Sequence, residues 1–154
     1  MTNDQLNANV QRDRAVGAVL ASAAADALGA PHEFGPALDP STVLAMTGGG
    51  PFPWAPGEWT DDTQTALAIL EPLSRGVGVL DLPDAVAQGL QAWFASHPPD
   101  VGIQTTSVLS AASSSSASLA EVTAAWQASR PDSLPIPAFS YTQSGVFVHP
   151  ELSR

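Results

Sequence analysis

Through the first 130 residues apolar side chains recur at helical spacing, and nowhere do they alternate as in a half-buried strand. Val16, Val19, Leu20, Ala23 and Ala27 follow the i, i+3, i+4 rule and predict a core-facing helix over about Val10–Leu28, helped by its many alanines. A second helix is expected from Thr60 toward Arg75, burying Ala66, Leu67, Leu70 and Leu73, with a kink or early stop at Pro72. A third opens near Asp81, tolerates Pro83 in its first turn, and aligns Val86, Leu90, Trp93 and Phe94 before Pro98-Pro99 closes it. A fourth is expected from Asp100 with Ile103, Val108 and Leu109, followed by a Ser113–Ser116 linker. The fifth begins with a capping box, Ser118 and Glu121, and carries Leu119, Val122 and Trp126 to Pro131. Five helices and one long Gly/Pro-rich loop from Pro31 to Trp59 make an all-α domain over residues 10–130. A loop of that length in a compact domain usually lines a site. Residues 131–154, broken by Pro131, Pro135, Pro137 and Pro150, read as a divergent, irregular tail.

Composition narrows the function classes. The 44% apolar content supports a core, and a chain so poor in charge (13%) is not the disordered type. Five basic residues against fifteen acidic ones give a formal charge of -10, which disfavours nucleic acid and anionic membranes. A generally acidic surface explains the same charge without any site. With no cysteine, disulfides, zinc-thiolate sites and thiol catalysis are excluded. The polar, acidic start and the lack of a long apolar run predict no secretory signal and no membrane span, so a cytoplasmic protein is expected.

One cluster carries chemistry: Trp59-Thr60-Asp61-Asp62-Thr63-Gln64. Adjacent carboxylates repel, and a fold places them at a helix N-terminus or against a cation. On the plainer reading Thr60 caps the helix and both acids complement its dipole. On the functional one, a hydroxyl and two carboxylates supply hard oxygen ligands for magnesium or manganese. Trp54 and Trp59 are expected to pack the loop onto the core. His32 and His97 show no metal-ligand spacing.

The neighbouring blocks weigh toward the second reading. Asp26-Ala27-Leu28-Gly29-Ala30-Pro31-His32-Glu33-Phe34 comes first, then Gly48-Gly49-Gly50-Pro51-Phe52, then Pro56-Gly57-Glu58-Trp59-Thr60-Asp61-Asp62-Thr63-Gln64. Asp100-Val101-Gly102 and Gln104-Thr105 follow. In this order, over roughly residues 12 to 130, they resemble the N-terminal half of the ADP-ribosylglycohydrolases, the family of the dinitrogenase reductase-activating glycohydrolase. The resemblance implies an all-α fold with two Mg2+ ions (Mn2+ in some members) and hydrolysis of ADP-ribose from a protein side chain or a related small ADP-ribosyl compound. It implies Thr60, Asp61 and Asp62 as metal ligands, Glu33 as a catalytic carboxylate in the ADP-ribose pocket, and Asp100 as the group orienting or deprotonating the attacking water. It also implies that Gly48, Gly49, Gly50 and Gly102 let backbone approach the substrate, while Asp26 serves as structural support. Breaking a glycosidic bond builds positive charge on the sugar carbon, which carboxylates stabilise. Without the resemblance, Glu33 reads equally as a salt-bridge partner or helix cap, and Asp100 as the N-cap of the fourth helix.

The pattern departs from the family where an Asn-Gly-x-x-Met-Arg block and a distal Asp-x-Asp are expected; Ser133-Leu134-Pro135-Ile136-Pro137 stands in place of the first. The expectation is a truncated hydrolase-family chain with impaired activity and exposed apolar surface that invites self-association. The alternative is a non-catalytic ADP-ribose or metal-binding module, or an inactive fragment.

Overall fold

The computed structural model describes residues 3–130. They form five α-helices, α1 (Asn3–Gly29), α2 (Asp61–Ser74), α3 (Leu82–Ala95), α4 (Ile103–Ser113) and α5 (Leu119–Ala128), with a single 3-10 turn at Ala30–His32. Among the described residues the only extended pairing is an isolated bridge between Gly49 and Trp54, so the all-α expectation holds. The expected tail, 131–154, lies outside the described residues. The chain divides into two compact units, residues 1–64 and residues from 65 onward, with the division falling inside α2.

The second unit is built on apolar burial. Ala68, Val86, Leu90, Val108, Leu109, Ala112 and Leu119 form its core, with Trp93, Phe94, Val122 and Trp126 packed partly buried around it. Val108 and Leu109 are wholly enclosed and Leu90 is nearly so. Each such side chain removed from water contributes about 1.5–3 kcal/mol. The expected faces of α3 and α5 are therefore the observed ones. The Ser118–Glu121 capping box is formed: the Glu121 amide donates to the Ser118 hydroxyl, and the Ser118 amide donates back to the Glu121 carboxylate at 2.8 Å. At the other end of α5 the Arg130 guanidinium lies 4.7 Å from the Trp126 ring centroid.

Three helical expectations need correction. α1 starts well before Val10, and Val16, Val19 and Leu20 are exposed; of the expected stripe only Ala27 is buried. Periodicity identified the helix but not what its face packs against.

In α2, Leu67 and Leu73 are exposed and Ala66 is too, whereas Ala68 and Pro72 are buried. The inward stripe falls on small residues because α3 comes in close. A Cβ added at Gly89 would meet the Ala68 Cβ and carbonyl oxygen, each at 3.3 Å. Pro72 sits inside the helix, which continues past it to Ser74, so the expected stop does not fall at Pro72. Having no N–H, Pro72 cannot donate to the Ala68 carbonyl. That is the carbonyl lying against Gly89.

Finally, α4 starts at Ile103 with Gly102 at the N-cap position, displacing Asp100 from that role, and Ile103 is 88% exposed. Ser113 closes α4 and bonds its hydroxyl to the Leu109 carbonyl, so the linker is shorter than expected.

Candidate functional site

The start of α2 is fixed by a residue from α1. Thr60 precedes the helix and its carbonyl accepts from the Gln64 amide, which makes it the N-cap position. On the plain capping reading, its own hydroxyl would satisfy the first-turn amides. Instead that hydroxyl accepts only from the Asp62 amide, at a long 3.4 Å.

The capping work falls to Asp26. Its Oδ2 accepts from the backbone amides of Thr60 (3.0 Å) and Thr63 (3.1 Å) and from the Thr63 hydroxyl. Its Oδ1 accepts from the Thr60 hydroxyl at 2.8 Å and from the Thr60 amide at 3.2 Å. One carboxylate thus meets four donor groups on the first turn. Hydrogen bonds to a charged group contribute roughly 1.5–3 kcal/mol net each, and such contributions do not add fully when they share one carboxylate. The two threonines they reach are the buried polar residues among the described ones, Thr60 at 0% and Thr63 at 6% exposure.

This arrangement sets the chemistry of the corner. Thr60 gives its single hydroxyl proton to Asp26, so its oxygen has only lone pairs left to offer. Beside it Asp61 is half-buried and Asp62 exposed, on a helix N-terminus that favours negative charge. A hydroxyl oxygen with its proton committed and two neighbouring carboxylates are oxygen donors of the hard class. Magnesium and manganese match that class; soft metals do not. Among the described residues no group of three His, Asp or Glu side chains converges to hold a metal ion. The donor type fits a hard cation, while the described residues do not by themselves gather a full ligand group.

The long loop belongs to the same unit. Helix α1 runs into the 3-10 turn Ala30–His32, which ends at Glu33, half-buried with its Oε2 shielded from solvent. The next residue, Phe34, takes a left-handed φ of 57° and is 85% exposed. For a bulky aromatic that conformation costs about 1–2 kcal/mol, and strain of this sort collects at functional positions.

Gly48, Gly49 and Gly50 all have positive φ, 69°, 83° and 87°. Their steric situations differ. A Cβ at Gly50 would come within 2.8 Å of the Pro31 carbonyl oxygen, and one at Gly48 within 2.8 Å of the Ala55 carbonyl carbon; at Gly49 the space is open. Gly50 thus seats the glycine turn directly on the 3-10 turn that leads to Glu33.

The far side of the loop is pinned twice. The Gly49 amide donates to the Trp54 carbonyl at 2.9 Å. Ala55-Pro56-Gly57-Glu58 makes a type II turn, with the Glu58 amide bonded to the Ala55 carbonyl and Gly57 at φ 79°. The Glu58 carboxylate accepts from the Ala55 amide at 2.7 Å. Trp54 is buried as expected, its ring 5.8 Å from that of Phe52, and its indole N–H is enclosed with no hydrogen-bond partner. Trp59 departs from expectation and is 42% exposed.

The first unit therefore carries Glu33, Gly48, Gly49, Gly50, Thr60, Asp61 and Asp62, while Asp100 and Gly102 belong to the second. Gly102 has φ -52° and meets nothing closer than the Thr105 hydroxyl, 3.8 Å from an added Cβ, so α4 itself does not demand glycine there. The structural role expected of Asp26 is observed, but its partners were not named by the sequence. The available signal was an acid on the inward edge of an alanine-rich helix, the same edge as the buried Ala27 and Ala30.

Comparison with known proteins identifies the family. The model of the ADP-ribosylglycohydrolase family matches residues 7–145, running past residue 130 where the sequence pattern changes. Over 59 residues the chain is 51% identical to ADP-ribosylarginine hydrolase Tri1 of Serratia proteamaculans (strain 568), covering 38% of this chain and 16% of that protein. The protein of the same name from Pseudomonas putida (strain GB-1) is 52% identical over 59 residues, with the same coverage. ADP-ribosyl-[dinitrogen reductase] glycohydrolase of Rhodospirillum rubrum is 42% identical over 94 residues, covering 58% of this chain and 31% of that protein. The chain spans less than a third of the length of these curated relatives. With the family model matched across most of its length, the chain belongs to the ADP-ribosylglycohydrolase family.

Proposed function

We propose that this chain supplies the cation-binding corner and substrate loop of a magnesium-dependent hydrolase that removes ADP-ribose from arginine side chains. The observation carrying this reading is the buried Thr60 hydroxyl, its proton committed to Asp26, standing beside Asp61 and Asp62 at a helix start. The names of the relatives from Serratia, Pseudomonas and Rhodospirillum support the ADP-ribosyl chemistry, and two of them name arginine as the bearer.

Thr60, Asp61 and Asp62 would hold magnesium or manganese, which supplies Lewis acidity and an activated water when bound. Glu33, on the turn against which Gly50 packs, would interact with the sugar, where positive charge develops as the glycosidic bond breaks. Asp100 is assigned to orient or deprotonate the attacking water. Gly48–Gly50 present a turn free of side chains along which a ribose or phosphate group can lie.

Magnesium wants a nearly complete octahedron of oxygens. Three ligand residues from one helix start fill only part of that shell, so these three alone are expected to bind cations weakly. A chimera tests the assignment: residues 7–130 replace the matching segment of the Rhodospirillum enzyme, and release of ADP-ribose from ADP-ribosyl-arginine is followed. Magnesium-dependent release that falls by about 100-fold or more in Asp61→Ala supports the reading, in the range seen when a catalytic metal loses a ligand or its support. A folded chimera equally active with Asp61→Ala and Asp62→Ala refutes it.

A further inference from the structure

We infer that Asp26 is a positioning residue for the divalent cation, holding the Thr60 hydroxyl so that its oxygen can act only as an acceptor. The inference rests on the proposed reading of Thr60, Asp61 and Asp62 as ligands and deepens it. A hydroxyl carries one proton and two lone pairs. At Thr60 the proton goes to Asp26 Oδ1 at 2.8 Å, and full burial keeps water from competing for it. Among the described residues the other bond to that oxygen is the 3.4 Å contact from the Asp62 amide, at the edge of hydrogen-bonding range. The other lone pair of that oxygen is therefore uncommitted, and it is the one a hard cation would take.

Plain capping does not require this. The backbone amides of Thr60 and Thr63 already bind Asp26 Oδ2, and those bonds alone would fix the helix start. The additional bond through Oδ1 acts on the side chain of a ligand. A carboxylate is also the only group of this size that accepts at both atoms. An asparagine at position 26 brings two N–H donors to a place where every neighbour is a donor. To meet them the Thr60 hydroxyl turns and accepts, using the lone pair that the cation needs.

The test is Mn2+ binding to the full chain, followed by the electron paramagnetic resonance signal of the free ion, with far-UV circular dichroism as the check on folding. Asp26→Asn is expected to weaken Mn2+ binding by about tenfold, the low end of what the loss of a ligand-orienting partner costs. Thr60→Val, which keeps both amides on Asp26 and so keeps the helix, is expected to weaken binding to the same extent; Thr60→Ser restores it. Asp26→Asn combined with Thr60→Val is expected to be no worse than either alone, because both changes remove one interaction. Asp39→Asn, which removes the same charge from an exposed loop, is the electrostatic control and is expected to change affinity less than about twofold.

Asp26→Asn binding within about twofold of the parent while folded overturns the inference. If Asp26→Asn does not fold, Thr60→Val decides, and unchanged affinity there overturns it equally. Should Asp61→Ala and Asp62→Ala also leave binding unchanged, the cation reading itself has failed. If those two weaken binding and Asp26→Asn does not, only the positioning role is lost.

Discussion

Residues from Ala68 to Leu119 and residues from Asp26 to Thr63 show two ways of holding a chain in place. In the second unit, α3, α4 and α5 bury Leu90, Val108 and Leu109 in a cluster with no polar member. In the first, the fixed points are a carboxylate meeting the hydroxyls and amides of two threonines, and three glycines in left-handed backbone. Apolar packing is tolerant of how a face is filled, provided the volume is right. A polar clamp depends on each donor and acceptor, which is the tolerance a ligand site needs. The difference separates an apolar core from a polar, hydrogen-bonded corner within one chain.

The largest effect expected from a single change falls on the apolar core. Leu109→Ala empties a fully enclosed position and should cost about 3 kcal/mol, in the usual range for such cavities, read as a lower urea midpoint. Gly50→Ala comes next. It combines a φ of 87° with a clash against Pro31 and should cost roughly 2 kcal/mol or more. Gly49→Ala has the same backbone strain but open space, so about 1 kcal/mol is expected. Equal costs for the two glycine variants would break the claim that Gly50 is a point of close approach.

How much of this was legible in sequence follows the same division. The inward stripes of α3 and α5, and the Ser118–Glu121 box, were readable because period and capping are local properties. Thr60-Asp61-Asp62 and the glycine turn were readable as motifs. What Asp26 does was not, since its partners lie 34 and 37 residues away and no local rule pairs them. The faces of α1 and α2 were misassigned for a related reason. Val16, Leu20 and Leu67 have the right spacing to be buried, yet burial depends on which neighbour comes close, and Gly89 against Ala68 settles that for α2.

The smaller effects sharpen the comparison at the end of α5. Ser118→Ala removes the capping box and should cost about 1 kcal/mol, seen as fraying of one helix in hydrogen exchange. The smallest effect is its pH dependence. The Ser118 amide and hydroxyl donate to the Glu121 carboxylate and hold it below its ordinary value. A carboxylate lowered in the folded state stabilises above the ordinary carboxylate range and loses that contribution as pH falls through its folded value. Protection of α5 should therefore decline in acid, and the difference between the parent and Ser118→Ala should shrink with it. Because Glu121 is fully exposed, the change is small; a difference that grows on acidification would contradict the capping account.

The central claim, that the start of α2 gathers oxygens for a divalent cation, is tested most directly by paramagnetic broadening of backbone amide signals with sub-stoichiometric Mn2+. The account predicts that the amides of Thr60, Asp61, Asp62 and Thr63 broaden first, together with Asp26 across from them, while those of the acidic residues Asp4, Asp39, Asp81 and Asp84 stay sharp. Broadening spread evenly over all these carboxylates, with no preference for residues 60–63, would contradict it.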